Sequence, residues 1–172
     1  STSADTTKTL ASMQSSTDSL KESADALLKT GKESVFAEEA VTDKAYQSVS
    51  SFVEDYNSVL NASDKVNSTS ILQRTANMVQ ATANNEEALA KVGITIGEDN
   101  SLSIDKDTFM KADMADVKAL FNGHNSYAYR VSAQSSLINF AADNEAVKAN
   151  TYDFTGAYSN NYSAGNIFNS LF

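Results

Sequence analysis

Apolar or small residues recur along this chain at alternating steps of three and four, and no other feature constrains its fold as strongly. Leu10, Met13, Thr17, Leu20, Ala24 and Leu27 form the first series. Tyr46, Val49, Val53, Tyr56 and Leu60 form a second, widened by Phe52 and Val59. A third runs Ile71, Thr75, Met78, Thr82, Asn85, Leu89 and Val92, flanked by Leu72 and Val79 and polar in its middle. This spacing keeps one stripe of a helix against a neighbour. Proline, which would break such helices, is absent from all 172 residues. The spacing predicts a mainly α fold, an elongated antiparallel helical bundle or coiled coil. Thr42 or Asp43 is placed to cap the second helix, Ser68 or Thr69 the third, and Gly31 is placed to stop the first.

The period then changes. Ile94 and Ile96, followed by Leu102 and Ile104, alternate on either side of Gly97-Glu98-Asp99-Asn100, which predicts a short β-hairpin near 94–104. Asp105 caps a short helix carrying Phe109, and Ala115 to Phe121 forms another. A fourth long helix is expected from Tyr127 to Lys148, with Val131, Ile138 and Ala141 inward and Leu137 and Phe140 beside them. From about Asn150 the chain becomes rich in Tyr, Phe, Gly, Asn and Ser, with Asp153 as its one charge. Residues 1–150 therefore read as a helical domain with a hairpin insertion. Residues 151–172 read as an irregular aromatic strap, lying on the protein's own helices or on a neighbour. Tyr158, Tyr162, Phe168 and Phe172 are its candidate partner contacts.

Composition narrows the function. Cysteine is absent and histidine occurs once, which excludes thiol catalysis and Cys/His zinc sites. The net charge of −9, with no cluster of Lys or Arg, argues against nucleic-acid binding. No stretch is long and apolar enough to span a membrane. The chain opens on Ser1 rather than Met, so its start reads as a trimmed or processed terminus. His124 sits in a turn with no carboxylate or serine motif poised around it, and reads as a solvated loop residue. Gly97 to Thr108 resembles part of a calcium loop but puts Leu102 where the loop glycine belongs and Thr108 where its bidentate glutamate belongs. A hairpin turn followed by a helix cap is the better reading. No catalytic residue, cofactor or metal is expected, and the protein reads as non-enzymatic.

At Phe52-Val53-Glu54-Asp55-Tyr56-Asn57 the chain resembles the FVxxYN element of the bacterial flagellar filament cap family, the hook-associated proteins of the filament tip. Leu89 to Ile96, with Gly93 and Ile94, followed by Leu102, Asp105 and Phe109, is similar to the next stretch of that family in the same order. Val117 to Phe121, with Leu120 and Phe121, resembles the Val-x-x-Leu-Phe that precedes the family's last long helix. The likeness covers roughly residues 43–142, the helical leg region. The family's usual turn glycine is replaced by Asn100, and its large variable outer domains are not recognisable here.

The resemblance implies a structural or assembly protein that binds filament subunits, flagellin-like or other, or itself through helix seams, with a homo-oligomer possible. It implies an extracellular or cell-surface, flagellum-associated place, with a cytoplasmic one left open. The alternative from another class is a secreted or surface protein-binding module without a flagellar role. The seams read first as packing against one another within the chain; the alternative, which does not exclude this, is that one of them, the first above all, pairs with another chain.

Overall fold

Side-chain caps mark where the helices of this computed structural model begin. It describes residues 5–157. Thr6 and Thr9 form a reciprocal capping box at the start of α1 (Thr7–Leu27). Thr42 accepts from the Ala45 amide at 3.1 Å to open α2 (Asp43–Ser63). Ser68 accepts from Ile71 to open α3 (Thr69–Ala83), and Asp105 accepts from Thr108 at 2.9 Å to open α5 (Lys106–Lys111). Each cap satisfies an amide that the first helical turn leaves unpaired. The remaining elements are α4 (Glu86–Lys91), β1 (Ile94–Ile96), β2 (Leu102–Ile104), α6 (Met114–Phe121) and α7 (Tyr127–Ala157). The described chain is thus mainly helical, with one two-stranded antiparallel sheet pairing Ile94 with Ile104, Thr95 with Ser103 and Ile96 with Leu102.

All six residues of the first seam are buried, because α1 packs on both α2 and α7. Its hydrogen bonds to α7 run in opposite chain directions. Gln14 donates to Asp143, Asn139 donates to the Thr17 hydroxyl at 2.9 Å, and Ser132 donates to Asp25 at 2.6 Å. The first seam packs within the chain, and the alternative that offered it to a second chain finds it covered. α3 lies on another side of α7, while α4, the hairpin, α5 and α6 gather against α2 and one end of α7.

Three boundaries depart from expectation. α1 ends at Leu27, before Gly31, where Asn122 donates its side-chain amide to the carbonyls of Leu27 (2.6 Å) and Lys29 (3.1 Å) and satisfies the helix end from outside. Gly31 instead opens a 3-10 turn at φ +68°. The third seam is not one helix. Asn85 donates from its side chain to the Ala81 carbonyl at 2.8 Å, and this competition with the backbone ends α3, leaving Leu89 and Val92 buried beyond the break. Finally, the segment expected to become an irregular strap after Asn150 continues as helix to Ala157. Tyr158, Tyr162, Phe168 and Phe172 lie outside the described residues.

One glycine is demanded by space as well as by φ. Gly93 sits at φ +88°, and a Cβ there would lie 3.0 Å from the Asp105 carbonyl oxygen and 3.1 Å from the Phe109 amide nitrogen. It lets the chain leave α4 and enter β1 while α5 packs directly over it. Asn100 makes the hairpin turn at φ +72°, a conformation asparagine tolerates better than most residues. We predict that Gly93→Ala costs about 1–3 kcal/mol in urea unfolding. Gly97→Ala, whose nearest neighbour is the movable Asp99 carboxylate, should cost less.

Candidate functional site

Two of the motif residues singled out in the sequence, Phe52 and Phe121, meet at one junction with Tyr127. Phe52 of α2 meets Phe121 of α6 edge-on at 5.7 Å and Tyr127 of α7 at 5.8 Å, and those two rings meet each other at 6.3 Å. Edge-to-face geometry places the positive rim of one ring on the negative face of the next. Val53, Leu120 and Ile94 fill the surrounding core, and Phe109 packs against Tyr46.

Beside this triangle, three hydroxyls share one hub. The Tyr56 hydroxyl donates to Thr82 Oγ1 at 2.8 Å, and Thr82 donates in turn to the Met78 carbonyl at 3.1 Å. With its single proton so placed, Thr82 accepts from Tyr127 at 2.7 Å as well, using both lone pairs. All three side chains are buried. Burial pushes the Tyr127 hydroxyl well above the ordinary tyrosine pKa, with Tyr56 nearby adding to the rise and the Thr82 bond opposing it. Burial raises Tyr56 too, again against its bond to Thr82.

Asn57, the last residue of the FVxxYN element, clasps the hairpin. Its side-chain amide donates to the Leu102 carbonyl at 2.9 Å, and its oxygen accepts from the Leu102 amide at 2.8 Å. Both bonds satisfy the outer edge of β2 as a third strand would. Asp105 bonds the Thr108 amide and hydroxyl, and those bonds hold its carboxyl below the usual range. Asp99 turns onto the Ser101 hydroxyl and amide in the same way. The Gly97–Thr108 stretch is thus a hairpin turn and a helix cap, with the Asp99 and Asp105 carboxylates engaged locally. Among the described residues no group of three or more His, Cys, Asp or Glu side chains could hold a metal. His124 is exposed and stands edge-on to Tyr129 at 5.3 Å.

α7 carries four of the five exposed large hydrophobics among the described residues, Leu72 of α3 being the other. One face of α7, including Ala128, Val131, Ser135, Ile138 and Ala142, is buried. The other leaves Leu137 (41% exposed), Phe140 (58%) and Val147 (48%) in water. Leu137 and Phe140, expected beside the inner stripe, are outside it. The sequence signal for this was present but unused: 137, 140, 144 and 147 form their own series of steps of three and four. The sequence marks Thr82 only as a polar seam position and Tyr127 only as a helix start, because nothing local reveals a hydroxyl shared between distant helices.

No protein-family model, curated protein or solved structure matches the chain.

Thr82→Val keeps the side-chain shape but strands two buried phenols, so a loss of about 1–3 kcal/mol per hydroxyl is expected in chemical denaturation. The raised tyrosines make a second prediction. Their stabilisation is fully present below the ordinary value near pH 10 and is lost as pH rises through the higher folded values. Phenolate absorbance should therefore show two of the seven tyrosines ionising only as helical circular dichroism collapses. Asn57→Ala should speed hydrogen exchange at the Leu102 amide more than at the α1 amides.

Proposed function

We propose that this protein is a non-enzymatic assembly protein of the flagellar cap kind. In this reading α1, α2, α3 and α7 form an elongated antiparallel coiled-coil-like bundle. It works outside the cell or at its surface, where it binds filament subunits or another copy of itself through a helix face. The observation that carries the reading is the outer face of α7, where Leu137, Phe140 and Val147 stay exposed while all six residues of the first seam are buried. A helix that has already buried one apolar stripe gains nothing within its own chain from a second. An exposed apolar face of this kind marks a place for another protein.

The polar surroundings fit the same role. The net charge of −9 keeps the protein apart from random neighbours, so that association depends on the shape of the face. The motif residues supply rigidity: Asn57, Gly93, Asp105 and the aromatic triangle tie the hairpin to the helices and leave α7 firmly seated.

Co-sedimentation of the purified chain with flagellin filaments tests the proposal. Binding is expected, and Phe140→Glu should weaken it by about tenfold or more, as for loss of a central aromatic anchor, with helicity unchanged. A chain that neither pellets with filaments nor retards their subunits would remove the flagellar part. Binding to other surface proteins through the same face would then favour a binding module without a flagellar role.

A further inference from the structure

We infer that Asn122 is a modification site. Its side-chain amide is lost as ammonia through ring closure onto Gly123, and the carboxylate that results unlatches the C-terminal end of α1.

The chemistry starts from a sequence step that occurs once. Asn122–Gly123 is the one Asn-Gly pair of the chain. An asparagine side chain can be attacked by the backbone nitrogen of the next residue, and glycine opposes that attack with no side chain. Asn57, Asn67, Asn100, Asn125 and Asn169 are each followed by serine, whose Cβ crowds the same nitrogen.

The bonds balance with water as the only co-reactant, and nothing is oxidised or reduced. The Gly123 nitrogen gives up its proton and bonds to Cγ of Asn122. The Cγ–Nδ2 bond breaks and ammonia leaves, which closes a five-membered imide. Water then opens the ring. Breaking the Cγ–N bond leaves aspartate; breaking the backbone C–N bond leaves isoaspartate, with the chain running through the side-chain carbon. In either product an amide donor has become a carboxylate.

The folded geometry sets when this happens. Asn122 follows α6 at φ −137° and ψ 129°. Ring closure needs the Gly123 nitrogen eclipsed with Asn122 Cβ, more than a right angle of ψ away. It also needs Nδ2 free of the Leu27 and Lys29 carbonyls, which it holds at 2.6 and 3.1 Å. The latch must therefore open before the ring can close. Asn122 and Gly123 are half-buried, His124 and Asn125 are exposed, and a Cβ built on Gly123 would meet nothing within 4 Å. A surface turn with that much room opens locally without unfolding the core.

The product cannot close the latch again. A carboxylate has no proton to give the Leu27 and Lys29 carbonyls, and it sets a negative charge at the negative end of the α1 dipole. Isoaspartate also adds a backbone carbon between α6 and α7. The end of α1 and the 3-10 turn after it then lose their tie to the α6–α7 turn.

Ageing the full chain under native conditions at mildly alkaline pH, followed by peptide mapping and mass spectrometry, tests the site. A gain of one dalton at Asn122 is expected ahead of Asn100 and Asn125, with isoaspartate detected by methyltransferase labelling. Conversion should run about tenfold or more faster in the urea-unfolded chain, where no latch has to open. Aged protein separated by charge should exchange its Leu27 and Leu28 amides about tenfold faster than fresh protein, with the Leu102 amide unchanged. Asn122→Asp should reproduce that pattern. Asn122→Gln, whose longer side chain closes a ring poorly, should gain no mass at this position.

A chain whose Asn122 keeps its amide, whatever happens at Asn100 or Asn125, overturns the inference. So does conversion that is equally fast folded and unfolded, since no latch would then govern it. Converted protein with unchanged exchange at Leu27 and Leu28 overturns the unlatching. The aged fraction folded before it changed, so its exchange decides the matter whether or not Asn122→Asp folds.

Discussion

The hydroxyl of Thr82 joins three helices at one point, and the placement of the rest follows from how it is used. It has one proton and two lone pairs, spent on the Met78 carbonyl, Tyr56 of α2 and Tyr127 of α7. Sliding α2 or α7 along α3 by a turn would leave at least one phenol buried without a partner. That costs more than an ordinary surface hydrogen bond returns. The hub therefore sets depth along the helix axes, which apolar packing alone does poorly. The edge-on rings of Phe52, Phe121 and Tyr127 then set rotation, since each ring meets the other two.

Much of this could be read before any coordinates, and the reasons differ by element. The first two seams, the Thr42 and Asp105 caps and the hairpin strands follow from local rules that the sequence states outright. The break between Ala83 and Glu86 was hidden because Leu89 and Val92 keep the heptad phase across it. The phase survives since those residues are buried from a different helix. The early end of α1 depends on Asn122, far along the chain, and no window around Gly31 contains that information. The continuation of α7 past Asn150 defied propensity: the Tyr, Thr and Gly-containing stretch was judged against isolated-helix preferences. A helix already nucleated over many turns extends at far lower cost than one starting afresh.

The site divides in the same way. Burial of Phe52, Tyr56 and Phe121 was legible as seam membership. The bidentate grip of Asn57 on Leu102 was not, because a side-chain amide standing in for a strand needs a pairing partner forty-five residues away. The outer stripe of α7 was overlooked for a different reason. When one helix carries two apolar series, their residues interleave, and the pattern reads as a single wide stripe facing inward. Only the burial of Val131, Ile138 and Ala142 against the exposure of Leu137 and Phe140 separates them.

The motif residues lie on the buried side of that separation. Phe52, Tyr56, Gly93, Leu102, Phe109 and Phe121 are buried. Asn57 is spent on β2 and Asp105 on its own helix cap. Residues committed this completely to the interior describe how α2, the hairpin and α6 are joined, and they offer a partner nothing to grasp. Under the assembly reading proposed above, recognition would fall to residues that the motif does not contain. On α7, Ala128, Val131, Ser135, Ile138 and Ala142 are buried against neighbouring helices, while Leu137, Phe140 and Val147 stay exposed. One helix thus carries two apolar series, one that packs within the chain and one left in water, so the cohesion of the fold and its exposed apolar face follow from one division of side chains along α7.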